Sequence, residues 1–174
     1  TVYGLGGEGI LRTWYREREA ITLIRRALDL GVTYFESARA YAGSESYYGA
    51  ALGPRRADIF LASKSAARTR DGARRDLETT LRTLRTEYLD LWQVHDLRTA
   101  EEWAHLRGPH GALEAFVKAK QDGLVRFIGV TGHHDPFLLA QAIQEFDFDT
   151  VLMPVNVAEA PYSGFLDVTL PAAL

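Results

Sequence analysis

A few side chains with acid–base or hydrogen-bonding chemistry stand at the ends of apolar runs: Glu36, Lys64, His95 with Asp96, Thr131-Gly132-His133-His134 and Asn156. Tyr41 follows Glu36 by five residues. Lys64 is the most informative of them. The chain carries 17 Arg and only 3 Lys, and Lys118 and Lys120 fall among polar residues of one helical stretch. Lys64 instead ends the run Ile59-Phe60-Leu61-Ala62-Ser63, where a charge is costly unless paired. Arg keeps its proton, whereas the pKa of Lys is tunable. A lysine beside a carboxylate (Glu36) and a phenol (Tyr41) suggests a proton relay. On this reading the cation lowers the phenol pKa from about 10 and the carboxylate orients the cation. A tuned phenol is a general acid able to protonate a carbonyl oxygen, and His95 could orient that carbonyl.

Each residue alone also has a plainer reading. Lys64 and Glu36 form a structural ion pair, Tyr41 is a packed loop aromatic, and His95 is a satisfied core histidine. His133 and His134 invite a metal, but adjacent side chains diverge and no third ligand has suitable spacing, so no metal site is expected. Asp90 and Asp96 read as caps or partners of Arg. Tyr47, Tyr48 and Trp92 read as packing residues.

These residues must be held by regular elements, and the chain alternates short apolar runs with amphipathic stretches. Strands are predicted at Val2–Leu5, Val32–Phe35, Ile59–Ser63, Leu89–Val94, Phe127–Thr131 and Thr150–Met153. Helical spacing of apolar residues marks Arg16–Leu30, Ser44–Leu52, Asp71–Arg85 (Asp71 as N-cap) and Ala112–Gln121. Asp135-Pro136 opens a further helix, and a weak one starts near Phe165. Residues 98–110 read as a long connection. The strand runs are apolar throughout, as in a parallel sheet covered on both faces. Repeats of about 30 residues match βαβ units. An open doubly wound sheet and a (β/α)₈ barrel both fit. No G-x-G-x-x-G follows the first strand, which disfavours the first. Chemistry in either architecture gathers at the carboxyl ends of the strands, where the side chains above project.

Composition narrows the class. In 174 residues, 47% hydrophobic and 25% charged, the chain is an ordinary globular sequence and is read as one domain, 1–174. A formal charge of −3 argues against nucleic-acid binding by bulk positive charge. Zero Cys excludes a disulfide framework and thiolate metal sites within these residues. No apolar run approaches a membrane span of about 18 residues. The chain begins at Thr1 with no basic-then-apolar leader, so a cytoplasmic location is expected.

Several segments together resemble the aldo-keto reductase family. They are Gly31-Val32-Thr33-Tyr34-Phe35-Glu36-Ser37-Ala38 with Tyr41 and Ser44-Glu45; Phe60-Leu61-Ala62-Ser63-Lys64; the helix 75–84 leading into Tyr88-Leu89-Asp90-Leu91 and Val94-His95; and Gly123–Gly129 followed by Val130-Thr131-Gly132-His133. The resemblance covers nearly the whole chain in order. It implies a (β/α)₈ barrel, of which about six βα units are present, that reduces aldehydes or ketones with NADPH. It further implies that Tyr41 is the general acid, that Lys64 tunes it, and that His95 binds the substrate carbonyl. Thr131, His133 and Asn156 would seat the nicotinamide ring. One departure is that Glu36 stands where the family has Asp, adding a methylene to the carboxylate arm. Another is that strands seven and eight, whose loops hold the cofactor phosphates in the family, have no counterpart in the chain. The expectation is part of a longer protein or a half-barrel completed by a second chain, with a homo-oligomer among the possibilities. The alternative to an enzyme is a non-catalytic relative that binds nicotinamide or a regulatory partner.

Overall fold

The computed structural model describes residues 3–156 and 164–174. Six parallel strands form one sheet in the order β1 (Gly4–Gly6), β2 (Tyr34–Glu36), β3 (Phe60–Ser65), β4 (Leu89–Val94), β5 (Val125–Thr131) and β6 (Thr150–Leu152). Val2, within the predicted first strand, lies outside the described residues. Each strand is added beside the one before it. A right-handed crossover repeated without reversal keeps the helices on one side of the sheet, which is barrel winding and not the two-sided winding of a doubly wound sheet.

The helices are α1 (Glu17–Asp29), α2 (Ser44–Ala51), α3 (Arg70–Leu84), α4 (Ala100–Arg107), α5 (Ala112–Gln121), α6 (Pro136–Glu145) and a short α7 (Thr169–Ala173). The amphipathic spacing of α1 buries Ala20, Ile24 and Leu28. Asp135 caps α6, its carboxylate accepting from the backbone N–H groups of Phe137 and Leu138 at 2.8 and 3.2 Å. Two expectations are corrected. The cap of α3 is Thr69, not Asp71; its hydroxyl accepts from Gly72 N, and Asp71 lies inside the first turn. The connection over 98–110 contains α4, capped by Thr99, whose hydroxyl accepts from Glu102 N at 3.2 Å. No helix among the described residues is long and apolar enough to cross a membrane.

Alternation along the strands divides the side chains between two faces. Phe35, Leu61, Trp92, Val94, Ile128 and Val130 belong to the core shared with the helices. Trp92 lies flat on Phe116 of α5, with ring centroids 3.7 Å apart. The opposite face carries Tyr34 stacked on Phe60, and Phe60 stacked on Phe127. These rings form a floor beneath Glu36, Lys64 and His95, which stand higher on the same faces of their strands.

The buried acids are held by specific partners. Asp90 accepts from Leu61 N and pairs with Arg56 and Arg126 at 2.8 and 2.7 Å, tying β3, β4 and β5 together. Glu45, 1% exposed, accepts from Ser63 and Thr80 at 2.8 Å each and pairs with Arg39. It is thereby a structural carboxylate. Gly49 brings α2 close to α3: a Cβ there would lie 2.2 Å from the Thr83 carbonyl oxygen.

Candidate active site

The carboxyl ends of β2, β3 and β4 bring Glu36, Lys64 and His95 to one rim, and the loop after β2 returns Tyr41 to them. The loop is turned by two backbone bonds, Tyr41 N to Ala38 O and Ser44 N to Tyr41 O. Gly7 allows the close approach beneath it, since a Cβ there would meet Ser44 Oγ at 2.4 Å and Glu36 O at 2.7 Å.

Lys64 is 2% exposed and its ammonium donates to three acceptors: the Glu36 carboxylate, the Ser37 carbonyl at 3.0 Å and Tyr41 Oη at 3.3 Å. All three N–H donors are thus matched. The longer arm of Glu36 reaches Lys64 directly. Burial pushes the ammonium pKa below its ordinary value, while the adjacent Glu36 works in the other direction.

Tyr41 packs edge-on to His95, ring centroids 5.4 Å apart. Its phenol is raised, not lowered as the lysine alone suggested. Burial strips water from the phenolate, and the carboxylates of Glu36 and Glu8 oppose a further negative charge. Arg12, 5.5 Å from the ring centroid and paired with Glu8 at 2.8 Å, only partly offsets them. Burial, reinforced by Lys64, lowers His95 to about 4. Its ring is therefore neutral near pH 7, and Nδ1 is buried with no hydrogen-bond partner.

One cavity of about 840 Å³ is lined by Glu36, Tyr41, Lys64, His95, Thr131 and His133, together with Glu8, Arg12, Arg68 and Asp96. Asn156 is exposed and is not part of this wall, which ends at Pro154 on that side. Thr131 Oγ1 accepts from Asp96 N at 2.8 Å, fixing the β4 end to the β5 end. Arg68 donates to the carbonyls of His95 and Asp96, both at 2.9 Å, and pairs with Glu102 at 3.0 Å. Burial raises the Asp96 carboxyl, but Arg98 and the two neighbouring imidazoles outweigh it and hold the group below its ordinary value.

Sequence reasoning passed over Glu8, Arg12 and Arg68. Glu8 follows the carboxyl end of β1, so the strand-end rule that selected the other residues points to it as well. The divergence expected of His133 and His134 is not observed: both Nε2 atoms turn to Asp96 Oδ1, at 3.1 and 3.2 Å.

Comparison with known proteins agrees with this architecture. Residues 2–169 match the Aldo/keto reductase family. Aldo-keto reductase YhdN of Bacillus subtilis is 30% identical over 164 residues, which cover 86% of this chain and 45% of that protein. An aldo-keto reductase from Klebsiella pneumoniae solved in complex with NADPH superimposes with a TM-score of 0.80 at 24% identity, over 98% of this chain and 60% of that one. A second structure from the same organism, in complex with NADP and acetate, is 26% identical with a TM-score of 0.67, over 81% of this chain and 48% of the other. The chain spans about half the length of the curated relatives it matches. Six βα units wound in one direction are thus the architecture of the described residues, and the chain belongs to the Aldo/keto reductase family.

Proposed function

We propose that the protein is an NADPH-dependent reductase of aldehydes or ketones, with residues 1–174 forming one partial barrel domain. The observation that carries this reading is the Lys64 ammonium, held at once by Glu36 and Tyr41 on the wall of the cavity. A bound dihydronicotinamide would supply the hydride to the carbonyl carbon. The polar groups of the cavity suit such a guest. His95 Nδ1 and the Nε and Nη1 atoms of Arg68 are buried without partners, and Thr131 and His133 line the side reached from β5. The relative from Klebsiella pneumoniae that is 26% identical was solved with NADP.

In this reading Tyr41 donates its proton to the carbonyl oxygen as that oxygen gains charge. The raised phenol remains protonated throughout the neutral range, so the donor is loaded before substrate arrives. Lys64 lies against Tyr41 Oη and stabilises the phenolate left behind. Glu36 holds Lys64 in place. Neutral His95, edge-on to Tyr41, offers a ring nitrogen to the same carbonyl oxygen.

The test follows nicotinamide absorbance after the protein is mixed with NADPH and a reactive aromatic aldehyde. Turnover is expected, and its absence would sink the reading. Tyr41→Phe should lower the rate by about 10²- to 10⁴-fold while leaving NADPH binding, measured by fluorescence, in place. If Tyr41→Phe turned over normally, Tyr41 would not be the acid.

A further inference from the structure

Asp96, His133 and His134 form a three-residue cluster beside the relay that the proposed reduction leaves unexplained as a set. Their donor atoms all lie within 4.8 Å of one another. Asp96 follows β4 in a left-handed conformation, φ +56°. Among residues with a side chain, Asp tolerates this region comparatively well. The conformation is held by the bond from Asp96 N to Thr131 Oγ1 and by Arg68 on the Asp96 carbonyl. One carboxylate oxygen, Oδ2, accepts from Arg98 Nε at 2.7 Å. The other, Oδ1, is buried and accepts no hydrogen bond, although two imidazole Nε2 atoms lie at 3.1 and 3.2 Å. Both rings sit on the loop after β5, centroids 4.3 Å apart, and their outer edges face solvent.

Neither approach has the geometry of a hydrogen bond, and the three donor atoms lie close enough together to share one ion. Zinc–nitrogen and zinc–oxygen bonds of about 2.0–2.2 Å around a tetrahedral ion place neighbouring ligand atoms about 3.3–3.6 Å apart. The two separations from Oδ1, 3.1 and 3.2 Å, are slightly shorter than this, so an ion entering between the three groups would spread them by a few tenths of an ångström. Two imidazoles and one carboxylate are a donor set for a borderline divalent ion of the zinc class, with at least one position left to water. Arg98 on Oδ2 supplies the outer contact that orients a ligating carboxylate.

We infer that Asp96, His133 and His134 bind one divalent ion of the zinc class at the rim of the cavity. Asp96 and His133 line the same cavity as Tyr41 and Lys64 and make none of the relay's contacts, so the ion would sit beside the relay, at the His133 edge that the reductase reading gives to the nicotinamide ring. The site does not depend on the reductase reading. It stands or falls on metal binding alone.

The test uses untagged protein and Co²⁺ as the spectroscopic stand-in for Zn²⁺. Equilibrium dialysis should give one Co²⁺ per chain, with visible d–d absorption that Zn²⁺ abolishes by displacement. Asp96→Asn and His134→Ala should each weaken binding by about tenfold or more, on the scale at which even outer contacts of metal sites act. Replacing the exposed His105 and His110 together by Ala should leave it unchanged. Near-ultraviolet circular dichroism checks that each variant is folded. In the unaltered protein, Co²⁺ should shift or broaden the imidazole resonances of His133 and His134 before those of His105 and His110, which needs no variant. No stoichiometric binding, full binding by both single variants, or first perturbation of His105 and His110 would overturn the site.

Discussion

Tyr41 shows how far a side chain's chemistry depends on what surrounds it. A lysine at hydrogen-bond distance favours the phenolate, yet burial and two carboxylates set the outcome. Tyr34 and Tyr48 share the pattern: burial is the largest cause and Glu36 the second, raising Tyr34 to about 12 and Tyr48 further. In the unfolded chain these phenols ionise near 10. Between that value and their folded pKa values the native state binds more protons, so stability falls as pH rises through this window. Absorbance of tyrosinate against pH should therefore show Tyr34, Tyr41 and Tyr48 titrating late and together with unfolding. Circular dichroism in the same samples should lose its native signal at that point. Tyr34→Phe, Tyr41→Phe and Tyr48→Phe should each remove one late phenol.

At the scale of elements, the contact between α2 and α3 rests on the absence of a side chain at Gly49. Gly49→Ala places a methyl group 2.2 Å from the Thr83 carbonyl oxygen, which cannot rotate away. Overpacking of this kind costs about 1–3 kcal/mol, read as a lower midpoint of urea unfolding with an unchanged slope. Most elements were legible because their signals are local. The apolar runs Leu89–Val94 and Phe127–Thr131 read as buried strands, the second of which begins two residues earlier in the structure, and Asp135-Pro136 carries both a cap and a first-turn proline. Helix α4 was missed although Thr99 and Glu102 have the spacing of a capping box, because only Trp103 and Leu106 within it are buried and no stripe emerges. The pairing of both imidazoles with Asp96 was illegible for a different reason. It requires the left-handed turn at Asp96 and the bond to Thr131, and neither leaves a mark in residue spacing. The strand-end residues themselves were legible, since parallel winding sends every carboxyl end to one rim. The raised phenol was not, because desolvation depends on residues far apart in the chain.

For the molecule as a whole, Asp90 joins three neighbouring strands of the sheet. Its 1%-exposed carboxylate accepts from the β3 backbone and faces one arginine before β3 and another on β5. Asp90→Ala would leave Arg56, whose side chain is 12% exposed, without its counter-charge. Breaking a buried pair from one side costs about 3–5 kcal/mol. The expected result is a large fall in the urea midpoint at pH 7, and Arg126→Ala should cost far less because its side chain is 58% exposed. The flat stack of Trp92 on Phe116 has a consequence of another kind. Of the three tryptophans, Trp92 on β4 and Trp103 on α4 are buried, whereas Trp14 is 64% exposed. The protein therefore carries its own optical gauge. A blue-shifted emission component that iodide cannot reach reports the seam between sheet and helices, and a quenchable component reports the surface. Loss of the first with the second unchanged would mark helices peeling from the sheet before the chain comes apart.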